Sequence, residues 1–197
     1  MSVAGRSGRP RERREYTIAD YMAMPDDGKR YELLDGDLVQ MNAPTLPHQL
    51  IIGSIHAILR AHVIRHDLGT VLLAPTDVVL RPASVCQPDV LFVSHARERV
   101  KTFANIQGAP DLAVEVLSPG RLRHDRTRKR EIYERSGVAH FWLVDPMQEL
   151  IEELVLEQRP RRFREGATVR GRRGTFRPAV FPRLRMSLAE VYRGVPT

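Results

Sequence analysis

The chain has 197 residues, 42% of them hydrophobic and 28% charged, with a formal net charge of +7 and one cysteine. That length suits one domain with a full core. No apolar run approaches the ~18 residues of a membrane span, and the first residues lack the apolar region of a secretory leader. A lone Cys86 excludes an intramolecular disulfide framework and points to a reducing, cytoplasmic setting. With valines at 85 and 90 nearby, it reads as a small buried hydrophobe.

The basic excess is uneven. Five arginines fall in residues 1–15, seven Lys or Arg in 121–135, and eight in 159–177 against the single acid Glu165. Clustering of that kind is the electrostatic footprint of a protein that meets a polyanion.

In chain order, residues 1–15 ("MSVAGRSGRPRERRE") read as a disordered basic tail, and 16–197 as one domain. Thr17 N-caps a short helix, "TIADYMAM", with Asp20 closing the cap and Pro25 ending it. In "RYELLDGDLVQM" two strand-like runs flank Asp35-Gly36, a hairpin signal. From Pro47, Ile51, Ile55, Ile58, Leu59 and Val63 stand at helical spacing, with Gly69 as the stop. "TVLLAPTDVVL", "QPDVLFVS" and "DLAVEVLS" read as strands. Asp125 to Ser136 reads as a helix stopped by Gly137, and "AHFWLVD" as a buried strand. Residues 149–185 suggest irregular antiparallel strands with basic loops, and Ser187 with Glu190 a capping box for a last helix. The order predicts an α/β fold: a mixed sheet flanked by helices, with an N-terminal hairpin and a C-terminal β extension.

One residue conflicts with its surroundings. Glu115 sits in the apolar run Ala113-Val114-Glu115-Val116-Leu117, and by alternation Ala113, Glu115 and Leu117 share a face. A carboxylate there needs a partner or a metal. Asp89 opens another strand, with Gln87-Pro88 enforcing an extended approach. Taken alone, Asp89 is as readily a strand-start acid, and Lys129 one solvated helix charge that pairs with Asp125. Taken together, two carboxylates suit a hard divalent cation, which leaves further positions to water and phosphate. A nearby lysine adds a point charge for the phosphate or the nucleophile.

The segments "RYELLDGDLVQM", "QPDVLFVS", "GAPDLAVEVLSPG", "DRTRKREIY" and "GVAHFWLVDP" together resemble the Uma-two-type restriction-endonuclease family of the PD-(D/E)XK nuclease superfamily. The resemblance runs in order from Tyr16 to Val155 and implies a restriction-endonuclease-like fold. It implies Asp89 and Glu115 as metal-binding acids, with Mg²⁺ or Mn²⁺ as the cation. The superfamily lysine stands two residues after the second acid, where this chain has Leu117, and Lys129 in the next helix corresponds to it. Glu32 matches an additional acid, His48 a histidine at the head of the first long helix, and Ser118 and Asp125 further pattern positions. Gly120 departs from the usual serine.

These readings lead to a Mg²⁺-dependent endodeoxyribonuclease that acts on DNA through Asp89, Glu115, Lys129 and Glu32. Arg121, Arg123, Arg126, Arg161, Arg162 and Arg164 lie where the nucleic-acid backbone would pass. The competing reading is a non-catalytic nucleic-acid-binding protein on a nuclease-derived fold, although a pure binder needs no buried Glu115. No membrane contact is expected, and the C-terminal segment offers a homodimer interface. The chain has no G-x-S-x-G elbow and no Gly-rich phosphate loop.

Overall fold

The computed structural model describes residues 15–118 and 124–196; in 124–126 it describes the backbone alone. The basic-tail expectation therefore lies, Glu15 apart, outside the described residues.

Thr17 caps α1 (Ile18–Met22) through a reciprocal pair, its hydroxyl accepting from the Asp20 N–H while Asp20 accepts from the Thr17 N–H. The hairpin of β1 (Tyr31–Leu34) and β2 (Asp37–Gln40) turns at Asp35 and Gly36, with φ of 48° and 80°. Positive φ at both positions is what a tight type I′ turn requires. Helix α2 (Leu46–Arg65) turns Ile51, Ile55, Leu59 and Val63 into the core. It ends at His66, before Gly69, because Asp67 already adopts a left-handed φ of 49°. Gly69 instead opens β3 (Gly69–Leu73) at a φ of 145°, where an added Cβ would stand 2.2 Å from the Val93 carbonyl oxygen.

The run "TVLLAPTDVVL" divides between two sheets, as β3 and β4 (Val78–Leu80). There follow β5 (Ser84–Cys86), β6 (Val90–Ser94), a 3₁₀ turn at His95–Val100, β7 (Ile106–Gln107) and β8 (Leu112–Val116). Helix α3 (His124–Ser136) stops at Gly137, φ 87°, and leads into β9 (His140–Asp145). Residues 149–170 are more regular than expected, forming the long hairpin of β10 (Leu150–Gln158) and β11 (Arg161–Arg170). The small pair β12 (Thr175–Phe176) and β13 (Met186–Ser187) precedes α4 (Leu188–Val191). Ser187 makes no side-chain cap there. It is committed to β13, where it pairs with Thr175, and the Leu188 N–H donates to the Gly174 carbonyl.

The main sheet has the order β11-β10-β9-β8-β6-β3, and only β8 and β9 within it run parallel, joined by α3. A second sheet, β2-β1-β5-β4-β7, carries the N-terminal hairpin. On one face of the main sheet, Leu112, Val114, Val116 and Trp142 pack under α2 and the C-terminal segment. On the other, Leu91, Ala113, Phe141 and Leu143 pack under Ile132 and Tyr133 of α3, with Leu34, Val78 and Cys86 of the smaller sheet. The mixed α/β architecture with flanking helices is as the sequence implied, and Cys86 is fully buried. Among the described residues no helix is long and apolar enough to cross a membrane.

A second acid inside the sheet is structural. Glu153 of β10 is 1% exposed, and its carboxylate accepts from the Trp142 indole N–H and the Ala179 backbone N–H, with His140 Nδ1 at 3.2 Å. Burial alone would raise its pKa, but the His140, Ala179 and Trp142 hydrogen bonds hold it below the ordinary glutamate value. These bonds pin the segment before Phe181 onto the sheet. Because the folded pKa is depressed, this stabilisation is complete above the unfolded pKa and is lost as pH falls through the folded one. Glu153→Ala should cost about 2–3 kcal/mol, read as a melting temperature lower by about 5–10 °C. In thermal scans, the deficit of Glu153→Gln should be largest near neutral pH and shrink below pH 4. A pH-independent deficit would remove the charge from the account.

Candidate active site

Two strands bring the central acids together. β6 and β8 pair antiparallel, Val90 with Val114 and Leu91 with Ala113, so one further step sets Asp89 opposite Glu115. Asp89 Oδ2 accepts from the Val116 N–H at 2.7 Å, which locks that carboxylate to the neighbouring strand. Glu115 lies on the α3 side of the sheet, as its alternation with Ala113 demands.

The partners of Glu115 come from α3. Lys129 Nζ donates to both Glu115 oxygens at 2.9 Å, and the Tyr133 hydroxyl donates to Oε1 at 2.6 Å. Lys129 and Tyr133 stand four apart and so share a helix face. Glu32 of β1 takes the same ammonium at 2.8 Å, and its Oε1 also accepts the Gln87 N–H at 2.7 Å. Lys129 is thus no solvated helix charge, being 6% exposed between two carboxylates.

His48, in the first turn of α2, brings Nε2 to 3.3 Å from Asp89 Oδ2; its buried Nδ1 has no partner among the described residues. Arg30, Glu32, His48, Asp89, Glu115 and Lys129 all line one cavity of about 400 Å³, walled on one side by residues 41–45 between β2 and α2.

Charge is crowded here. Burial, opposed by Lys129 and reinforced by Asp89 and Glu32, pushes the Glu115 carboxyl up to about 7. Burial alone would lower the Lys129 pKa, but Glu115 and Glu32 hold it well above its ordinary value, so the ammonium stays charged. Among the described residues no group of three or more His, Cys, Asp or Glu is arranged as a ready metal cage. The carboxylates that line the cavity are those of Asp89, Glu115 and Glu32.

The other arginines have different placements. Arg128 donates to the Leu34 carbonyl and to Asp37 at 2.7 Å, and Arg135 pairs with Asp35, so α3 clamps the hairpin turn. Arg162 and Arg164 both pair with Glu157, and Arg161 reaches the Arg135 carbonyl. Across β8, β9, β10 and β11, Glu115 aligns with Leu143, Glu152 and Thr168, whereas Arg164 aligns with Val155, His140 and Leu112. Arg164 is therefore three strands away and three residues along β8, roughly 17 Å from Glu115 by strand geometry. Arg121 and Arg123, and the side chain of Arg126, lie outside the described residues.

Glu32, Asp89, Glu115, Lys129 and His48 are thus brought together. Sequence reasoning assigned no role to Tyr133, Gln87 or Arg30. The i, i+4 relation to Lys129 was the available signal for Tyr133, whereas Gln87 and Arg30 are joined only by tertiary contact.

The mixed sheet flanked by helices is a nuclease-like fold. A crystal structure of a putative nuclease belonging to DUF820, from Anabaena variabilis, superposes with a TM-score of 0.74 at 17% identity, covering 89% of this chain and 97% of that one. The sequence model of the Uma2 family, described as putative restriction endonuclease, matches residues 18–181. The chain belongs to that family. No curated protein matches it.

The crowding yields a stability prediction. A carboxyl whose folded pKa is raised loses stability as pH rises through that value. Glu115→Gln should therefore melt at or above the parent's temperature at pH 8, with the gap closing toward pH 6. A variant several degrees less stable at pH 8 would show that Glu115 supports the fold rather than straining it.

Proposed function

We propose that the protein is an endonuclease that hydrolyses DNA phosphodiester bonds with a divalent cation, Mg²⁺ or Mn²⁺, held by Asp89 and Glu115. The observation that carries this reading is the opposition of those carboxylates across β6 and β8, with the Lys129 ammonium bound to Glu115. The donor set fits such a cation: two oxygen ligands of hard character, with an open cavity for water and phosphate. When bound, the cation supplies a lowered pKa for water and neutralises charge on the phosphate.

Asp89 is oriented through Oδ2 by the Val116 N–H, with His48 Nε2 at 3.3 Å, and lines the cavity. Lys129 offers a compact positive charge beside Glu115, where charge builds on the phosphate during in-line attack. Glu32 holds that ammonium, and Tyr133 fixes the Glu115 rotamer. A protein that only bound nucleic acid would gain nothing from withdrawing a lysine and two acids from solvent, since such burial is costly. The arginines at 121–126 and 161–164 supply long-range attraction for DNA rather than contacts at the cleaved bond.

The test is cleavage of linear, supercoiled and branched DNA with and without Mg²⁺ or Mn²⁺. Cutting should require the metal and disappear in Asp89→Ala and Glu115→Ala. Lys129→Ala should lower kcat by about 10²–10⁴-fold while keeping most DNA affinity, the pattern of a group acting in the transition state. Lys129→Arg should fail too, because a planar guanidinium does not fit the space of a compact ammonium between two acids. Cleavage that persists in both acid variants would place the chemistry elsewhere.

DNA affinity should fall steeply with salt, with a log–log slope near ~0.9 per phosphate contact. Replacing Arg161, Arg162 and Arg164 together by alanine should flatten that slope in binding titrations at several salt concentrations. An unchanged slope would exclude β11 from the DNA path.

A further inference from the structure

We propose that Arg30 is a phosphate-binding residue of the cleft, positioned by Gln87, and that it grips a backbone phosphate beside the one undergoing cleavage. This rests on the nuclease reading above and adds a subsite to it.

Arg30 immediately precedes β1, and its carbonyl accepts the Met41 N–H at 2.7 Å, so the hairpin ladder extends to it. Arg30 and Glu32 are two residues apart and therefore share a face. Both line the cavity that holds Asp89, Glu115 and Lys129. The strand repeat separates them by about 6–7 Å, on the scale of the step between neighbouring phosphates along a nucleic-acid strand.

Arg30 is held in the cleft by a neutral amide. Its Nε and Nη2 donate to the Gln87 side-chain oxygen at 3.3 and 2.9 Å. Gln87 is 8% exposed, and its amide orientation is settled from the other side: its Nε2 donates to Asp77 Oδ1 at 2.9 Å and approaches the Tyr21 hydroxyl at 3.4 Å. Tyr21 in turn contacts Asp77 and the Tyr31 carbonyl, each at 3.0 Å. The amide oxygen therefore has to face Arg30. The same residue's backbone N–H holds Glu32, so Gln87 couples the guanidinium to the catalytic centre.

A neutral amide orients the guanidinium without compensating its charge. Arg97, Arg128, Arg135, Arg162, Arg164 and Arg172 each have a carboxylate partner, whereas Arg30 has none among the described residues; Arg170 is likewise held by a glutamine oxygen, that of Gln148, but is exposed and does not line the cavity. A half-buried guanidinium in that state has lost part of its hydration with no ion pair in return, unless an anion joins it. Its Nη1 has no partner among the described residues and can complete the forked donation that suits phosphate oxygens. The cleft needs such a group. Three carboxylates against Lys129 make it anionic and repel a phosphodiester, and Arg30 offsets that repulsion beside the reacting bond.

The experiment uses the full chain and a fluorescein-labelled single-stranded oligonucleotide. Affinity is measured without divalent cation and at several salt concentrations, and cleavage with Mg²⁺. Arg30→Gln should raise Kd and KM by about 10-fold or more, leave kcat within a few fold, and lower the log–log salt slope by about 0.7. Arg30→Lys should recover the slope and only part of the KM, since it keeps the charge and loses the fork. A merely structural role would instead lower the melting temperature and kcat together, with KM and slope unmoved, and that result overturns the proposal. Phenylglyoxal modification of the unaltered chain, mapped by mass spectrometry, does not depend on how a variant folds. The oligonucleotide should protect Arg30, and equal modification with and without it overturns the proposal. If the parent cuts DNA and Arg30→Gln matches it in KM and slope, the subsite falls while the nuclease reading stands. If the parent neither binds nor cuts nucleic acid, both fall together.

Discussion

The structure is arranged around one buried ammonium. Lys129 sits between Glu32 and Glu115, both withdrawn from water, and removing three charged groups from solvent is tolerable only if the geometry compensates nearly all of them. That requirement explains much of the surrounding architecture. β1 has to enter the second sheet where it can deliver Glu32, β8 has to expose Glu115 on its α3 side, and α3 has to cross with Lys129 and Tyr133 facing down. The Gln87 N–H takes up the spare capacity of Glu32. Shifting any of these elements by one residue would leave an unpaired charge inside the protein.

The hairpin shows how the chain keeps that geometry. Its turn is fastened to α3 by Arg128 on Asp37 and the Leu34 carbonyl, and by Arg135 on Asp35. A two-stranded hairpin is marginal by itself, yet this one carries a site residue and needs a fixed position. Two arginines that belong to a conspicuously basic segment are thereby consumed in structural work. The net charge of a segment is therefore a poor guide to which of its cations are available to a ligand.

A basic protein surrounds an acidic cleft, and the two features suit different ranges. Clustered arginines act over a Debye length, and the β11 group stands far from the acids by register. Close to the acids the balance is negative, with Asp89, Glu115 and Glu32 against Lys129. On the proposed reading this is the arrangement a cation-assisted hydrolase requires, since the missing positive charge is that of the metal and of whatever grips the substrate.

Much of this was legible in the sequence, for local reasons. The Thr17–Asp20 cap, the Asp35-Gly36 turn, the apolar face of α2 and the strands at 90–94, 112–116 and 140–145 depend on residues close in the chain. Glu115 stood out because an acid in an apolar strand violates its own neighbourhood, and the resemblance drew Asp89, Lys129, Glu32 and His48 toward it. The misreadings share a cause: competition from a distant group. Pairing with Thr175 holds Ser187 in β13, and close packing against Val93 sets the role of Gly69. The hairpin at 149–170 looked irregular because its basic residues hide the alternation, while pairing with β9 orders it.

The sequence by itself determined the local elements, the basic character and the set of acids that could not be ordinary core residues. Those depend on propensity, periodicity and composition, which act within a few residues. Only the tertiary structure decided that Lys129 is buried between two acids, that Tyr133 fixes Glu115, and that Gln87 binds both Glu32 and Arg30. Each of those contacts joins residues between 14 and 97 positions apart in the chain. Their energies come from desolvation and hydrogen-bond direction, which exist only once the sheets and α3 have closed around them.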